Sequence, residues 1–234
     1  YRGIMGVSGW GNSQTYSLNN GWKLPFCTVI TCDTGTFNSG TSRSEGFLRA
    51  GSAANPKGGI GCVGTATTGT HTRFNNCYTY GTFGGMLIHD AWQMGAAHTW
   101  GKVNLFLNYY AAQSTHAIRY IHWNNLMGDP AGEIWSGVPL PLQVGHPTAL
   151  TSGQSLVPVD VHDGISAPCA GALVCLYAAG PPEVQSIGYT DAQGHVDLVI
   201  PPATGPMKLT VTKRNRQPYL TDVPLGLGEY VGVQ

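Results

Sequence analysis

The chain has 234 residues, with 12 Lys+Arg balanced by 12 Asp+Glu, so no net field favours nucleic acid or an anionic membrane as partner. Charged residues make up 10% of it, against about 25% in an ordinary soluble domain, and 6 Trp, 11 Tyr and 6 Phe are too many aromatics for a disordered chain. The longest uncharged stretch, Ile134 to Val159, is broken by Gly and Pro and excludes itself as a membrane-spanning helix.

In chain order, Leu24 to Cys32 (LPFCTVITC) is a near-continuous apolar run, as a strand buried on both faces requires. Ser42-Arg43-Ser44-Glu45 has capping-box spacing and precedes Phe47, Leu48 and a terminating Gly51, which predicts a short helix. Gly58 to Thr67 (GGIGCVGTAT) predicts a second buried strand, with glycines that admit close approach of other backbone or a ligand. Strand, capped helix and strand make a parallel crossover unit. A second helix is predicted from Gly85 to about Thr99, with Ile88, Ala91, Trp92 and Ala96 on one face, and a third over Val103 to Gln113.

Near Pro139-Leu140-Pro141 the helical period disappears. Val157, Val159 and Val161 alternate with polar neighbours, as do Val174 and Leu176, then Val196, Leu198 and Ile200, then Met207, Leu209 and Val211. Asp191-Ala192-Gln193-Gly194 predicts a hairpin turn between two of these runs. The chain is therefore expected to be an α/β domain over residues 1–140 followed by an all-β, immunoglobulin-like sandwich over 141–234.

The chemistry-bearing candidate is Cys32, in Ile30-Thr31-Cys32-Asp33-Thr34-Gly35-Thr36-Phe37. A thiol at the C-terminal end of a buried parallel strand, before a Gly-containing loop and a helix, sits where α/β folds place reactive groups. The bland alternative is a small buried hydrophobe. His71, in Gly69-Thr70-His71-Thr72, follows the second strand and is the candidate general base, against a surface-loop histidine with no role. His89 and His98 are nine residues apart, poor spacing for metal ligands, and His122, His146, His162 and His195 are scattered. Cys62 and Cys77 could pair under oxidation, whereas Cys169 and Cys175 on one extended strand cannot bond to each other. Asp129 is expected to fix a turn, Glu45 and Arg49 to pair across one helical turn, and Trp10, Trp22, Trp123 and Trp135 to pack. No motif for a metal, nucleotide or other cofactor occurs.

Ile30–Phe37, Glu45-Gly46-Phe47-Leu48-Arg49-Ala50, the Lys57–Thr67 strand and Asn125-Leu126-Met127-Gly128-Asp129-Pro130 fall in the same order as in gingipain-like cysteine peptidases, which the chain resembles over about residues 1–140. The resemblance implies a caspase-like parallel-sheet domain, here its C-terminal part, with Cys32 at the position of the thiol nucleophile. It also implies the small immunoglobulin-like domain that follows the peptidase domain in that family. The family histidine, in a Tyr-x-Gly-His-Gly pattern about thirty residues upstream of the nucleophile, has no counterpart. Ile4 or Trp10 falls there, and no histidine occurs between Tyr1 and Cys32.

Three readings follow. One is a secreted or cell-surface cysteine peptidase acting on protein or peptide substrates, with its base from His71 or from a segment outside this chain. The second is an inactive relative serving as an extracellular binding or assembly module. The third, a carbohydrate-binding surface protein, is suggested by Trp and Asn but by no motif. The chain begins at Tyr1 without an initiator Met, and is expected to be the C-terminal part of a longer precursor. Residues 1–140 supply only the later strands of a caspase-like sheet, so an N-terminal fragment of the same precursor, or an identical subunit, is expected to cover the edge of the Leu24–Cys32 strand.

Overall fold

Two compact units, Tyr1–Ile134 and Trp135–Gln234, divide the chain; the computed structural model describes residues 10–226. In the first unit a one-turn helix, α1 (Asn12–Tyr16), precedes strand β1 (Phe26–Val29), helix α2 (Arg43–Arg49) and strand β2 (Gly61–Thr65). Two long helices, α3 (Thr72–His89) and α4 (Met94–Trp123), lead to strand β3 (Asn124–Gly128). The sheet order is β1-β2-β3. β1 and β2 are parallel, with Cys27 opposite Cys62 and Val29 opposite Gly64, which is the crossover expected from the apolar runs. β3 joins antiparallel to β2, an addition that the polar Asn124-Asn125 start did not suggest. Among the described residues β1 has no strand on its outer side.

The predicted capping box forms at α2: Ser42 Oγ accepts from the Glu45 N–H and Glu45 Oε2 accepts from the Ser42 N–H. That use of Glu45 replaces the expected Glu45–Arg49 pair, and Arg49 Nη1 instead donates to Thr41 Oγ1. Alternate residues of β2 face opposite sides of the sheet. Val63 is fully buried with Phe74 and Tyr78 of α3 and Leu105 and Tyr120 of α4. Gly64 faces α2 and the loop after β1, where a Cβ would lie 2.8 Å from Gly35 Cα and from Ser44 Oγ.

The helix expected over Gly85–Thr99 is two helices. Asp90 adopts φ 52°, and the Ala91 N–H reaches back to the Gly85 carbonyl, ending α3 in a left-handed cap. The apolar period runs on across this break, but on another helix: Ile88 is 69% exposed, whereas Met94 and Ala97 of α4 are buried. The helix predicted over Val103–Gln113 lies inside α4, which departs from helical backbone at Gln113 and then resumes. His89 stacks on Trp100 with ring centroids 3.9 Å apart, and buried His98 hydrogen-bonds through Nδ1 to the Tyr78 hydroxyl.

The second unit contains β4 (Leu142–Gly145), β5 (Leu156–Asp163), β6 (Leu173–Ala178), β7 (Val184–Tyr189), β8 (His195–Val199), β9 (Met207–Thr212) and β10 (Tyr219–Val223). They form two antiparallel sheets, β10-β9-β6-β7 and β4-β5-β8. The predicted alternation is the core: Val157, Val159, Val161, Val174, Leu176, Leu198, Leu209 and Val211 all lie in one buried cluster. The Asp191–Gly194 turn forms, with Asp191 Oδ1 accepting from the Gln193 and His195 amides. It does not close a hairpin, however, because β7 and β8 belong to different sheets. Gly188 of β7 packs face-on against Val196 and Leu198 of β8, so the turn carries the chain from one layer to the other.

Two measurements check this packing. Gly64→Ala puts a methyl against Gly35 backbone and is expected to cost about 1–3 kcal/mol, while Gly69→Ala, where a Cβ meets nothing within 4 Å, leaves the denaturation midpoint unchanged. His98 is held neutral, mainly by burial and then by Lys102, with its pKa lowered from 6.5 to about 4. The unfolded chain therefore binds its proton first. Stability is expected to fall by about 2–3 kcal/mol as pH drops from 6.5 towards 4, and His98→Gln is expected to flatten that slope in urea titrations.

Candidate active site

Cys32 lies three residues beyond β1, in a loop held down on the end of β2. The Asp33 N–H donates to the Thr67 carbonyl at 2.6 Å and the Gly35 N–H to the Thr65 carbonyl at 3.1 Å, so the loop goes on pairing where the strand has ended. Thr34 is the anchor. Fully buried, its Oγ1 accepts from the Thr65 N–H at 3.1 Å and bonds to the Thr31 carbonyl at 2.9 Å and the Val29 carbonyl. Its own carbonyl accepts from the Ser44 N–H at the start of α2. Gly35 is required by space, since a Cβ there would stand 2.5 Å from the Gly64 carbonyl carbon. Asp33, immediately after Cys32, has φ 60°, a left-handed conformation that turns the chain sharply behind the thiol.

Cys32 itself is 8% exposed. The group that meets its sulfur is the hydroxyl of Thr70, with Sγ and Oγ1 3.0 Å apart. Because β1 and β2 run parallel, Cys32 and the Thr70–His71 segment share the C-terminal edge of the sheet. His71 comes to that edge but turns outward: it is exposed, and its Nδ1 accepts from the Arg73 N–H as the N-cap of α3. In the neutral ring the proton is then on Nε2 and the lone pair is engaged in the cap. The His71 N–H donates to the hydroxyl of Tyr120 from α4, which fixes the segment's backbone. Asn75, one turn into α3 and buried, donates through Nδ2 to Thr70 Oγ1 at 3.2 Å.

Thr34, Thr70, Asn75 and Tyr120 are the site residues that sequence reasoning missed. Thr70 stands beside His71 after the second apolar run, so its place at the sheet edge was readable; its contact with Cys32 was not.

The other candidates lie elsewhere. Burial pushes the Cys27 thiol up to about 11 and raises Cys62 and Cys77 as well, which makes them poor nucleophiles. All six cysteines are free thiols, so Cys62 and Cys77 are not paired. Asp129 fixes a turn as expected, accepting from the Ala131 and Gly132 amides. Trp10 donates to Thr15 Oγ1 at 3.1 Å and Trp123 packs on Tyr120, whereas Trp22 is 77% exposed rather than packed. Ile4 lies outside the described residues. Among the described residues, no group of three or more His, Cys, Asp or Glu side chains is placed to hold a metal ion. A cavity of about 290 Å³ adjoins the Cys32 loop, lined by Asp33, Thr36, Ser39, Thr41, Ser42 and Arg43. Among the described residues, no helix is long and apolar enough to cross a membrane.

Solved structures share this fold. The crystal structure of the Arg-specific cysteine proteinase gingipain R (RgpB) superposes with a TM-score of 0.76 at 17% identity, over 96% of this chain and 51% of that one. The complex of Porphyromonas gingivalis RgpB pro- and mature domains gives 0.75 at 16% identity, over 96% and 52%. A third structure, of a protease, gives 0.72 at 15%, over 92% and 50%. The chain thus spans about half the length of these three structures, and at these identities the likeness establishes the fold, a caspase-like α/β unit followed by an antiparallel β unit. No curated protein matches the chain. The model of peptidase family C25 matches residues 1–135, and with that match over more than half its length the chain belongs to peptidase family C25, the gingipain-like cysteine peptidases.

Proposed function

We propose that Cys32 is the nucleophile of a secreted cysteine peptidase, attacking the carbonyl carbon of a substrate peptide bond. The observation that carries this reading is the strained turn at Asp33, which holds the thiol at the sheet edge, in a chain of family C25. The Asp33 and Gly35 amides are engaged with the Thr67 and Thr65 carbonyls, so on this reading the developing oxyanion is assigned to the Cys32 N–H. The adjoining cavity, with Asp33 and Arg43 in its wall, suits a polar substrate group.

His71 is the one sequence candidate for general base at this edge, and its engagement as the N-cap of α3 argues for a capping role instead. The base is then contributed by the half of the gingipain architecture for which this chain has no counterpart. Among the described residues the outer side of β1 carries no strand, which supports the same partner, since an unpaired apolar edge strand favours pairing, and a complex of RgpB pro- and mature domains is among the similar structures. On this reading residues 1–140 are the C-terminal part of the peptidase domain. Residues 141–234 form an immunoglobulin-like sandwich, supported by seven strands in two antiparallel sheets over one core. The competing reading, an inactive extracellular module, draws on Ile4 or Trp10 standing where the family histidine falls.

The test is cleavage of an unstructured protein substrate by the protein that carries this chain, with mass measured under native conditions. Cleavage that drops at least about 10³-fold in Cys32→Ala, from a species heavier than this chain alone, is the expected result. Undiminished cleavage by Cys32→Ala overturns the nucleophile. No cleavage by the wild-type protein favours the inactive module, and an active species of this chain's own mass removes the partner.

A further inference from the structure

We infer that Thr70 is a further catalytic residue and Asn75 its positioning residue: the Thr70 hydroxyl donates a hydrogen bond to Cys32 Sγ, aimed there by the Asn75 amide, and so favours the charged, reactive form of the sulfur. The inference rests on the reading of Cys32 as nucleophile.

Proton accounting gives the direction of the bond. A threonine hydroxyl has one hydrogen and two acceptor lone pairs. Asn75 Nδ2–H occupies one lone pair at 3.2 Å. The hydroxyl hydrogen needs an acceptor of its own, and Cys32 Sγ, 3.0 Å away, is the partner that the geometry supplies. A thiolate accepts such a bond more strongly than a neutral thiol does, because bonds to an ionised partner are about twice as strong.

Asn75 is suited to hold the hydroxyl. It is only 7% exposed, and its main chain is locked into the first turn of α3 through the His71 carbonyl, while its own carbonyl accepts from Thr79 Oγ1 at 2.8 Å. Its Oδ1 is buried without a partner, so the amide is kept at a cost that apolar packing would avoid. The segment it acts on is fixed from the other side by Tyr120, through the His71 N–H.

The ionisable groups around the sulfur come from three elements. Asp33 follows Cys32 on its own loop, His71 and Arg73 stand at the start of α3, and Tyr120 arrives from α4, where it interacts electrostatically with both Cys32 and Arg73. Substitutions at Thr70 and Asn75 leave all four in place, so the hydrogen bond can be changed without changing the charges.

The test is the rate at which iodoacetamide alkylates Cys32 in the intact protein between pH 5 and 9, read by peptide mass mapping, with circular dichroism to confirm folding. Thr70→Val is expected to move the midpoint of the rate profile up by about one pH unit, slowing alkylation about tenfold on its acid side. Thr70→Ser, which keeps the hydroxyl, restores the wild-type profile, and Asn75→Leu shifts it the same way by less. A Thr70→Val profile that superimposes on wild type overturns the inference, as does a Thr70→Ser profile that matches Thr70→Val. Because alkylation reads the thiol directly, it is independent of peptide cleavage. Cleavage that survives Cys32→Ala removes the nucleophile reading, and the alkylation profiles still decide the role of Thr70.

Discussion

The first unit is organised around the contact between two glycines. Gly35, in the loop after β1, lies on Gly64 of β2 so closely that a side-chain carbon on either would penetrate the other's backbone. With that approach the Asp33 and Gly35 amides reach β2-side carbonyls, Thr34 Oγ1 caps the Thr65 amide, and the Thr34 carbonyl receives the first turn of α2. Loop, strand and helix are tied at one point. A loop with bulkier residues here would have to lift from the sheet, and Cys32 would rise with it.

The consequence is a thiol whose position is set by backbone rather than by its own packing. Its neighbours at the sheet edge are also set from elsewhere: Thr70 by Asn75 and by Tyr120 through His71, and His71 by its cap on α3. On the proposed reading such geometry tolerates little drift, and support from strands and helix starts is more rigid than support from free loops.

Much of this was legible in the sequence, and the exceptions have physical causes. Apolar runs and a capping box revealed the strand–helix–strand unit, since both depend on contacts a few residues apart. The alternating valines and leucines of residues 157–211 revealed the β core for the same reason. The break at Asp90 was hidden because Ile88, Ala91, Trp92 and Ala96 keep one apolar period while the chain leaves α3, crosses a short connection and enters α4, so the pattern alone spans both. The Asp191–Gly194 turn is chemically a hairpin turn, and only the layer assignment of β7 and β8 reveals that it joins two sheets. At the site, Cys32 could be placed by its strand. The hydroxyl that meets it could not, because Thr70 is 38 residues away in sequence and threonine carries no signature of such a role. His71 was the more conspicuous residue, and its ring serves the helix beside it.

The central claim is that this backbone arrangement makes Cys32, among six free thiols, the group that attacks a peptide carbonyl. Exposure of the protein to a peptidyl chloromethyl ketone in less than molar excess, followed by peptide mass mapping, tests it most directly. The account predicts a single adduct on Cys32, absent after Cys32→Ser. An adduct distributed among the other cysteines, or none on Cys32 under conditions that alkylate the rest, would contradict it.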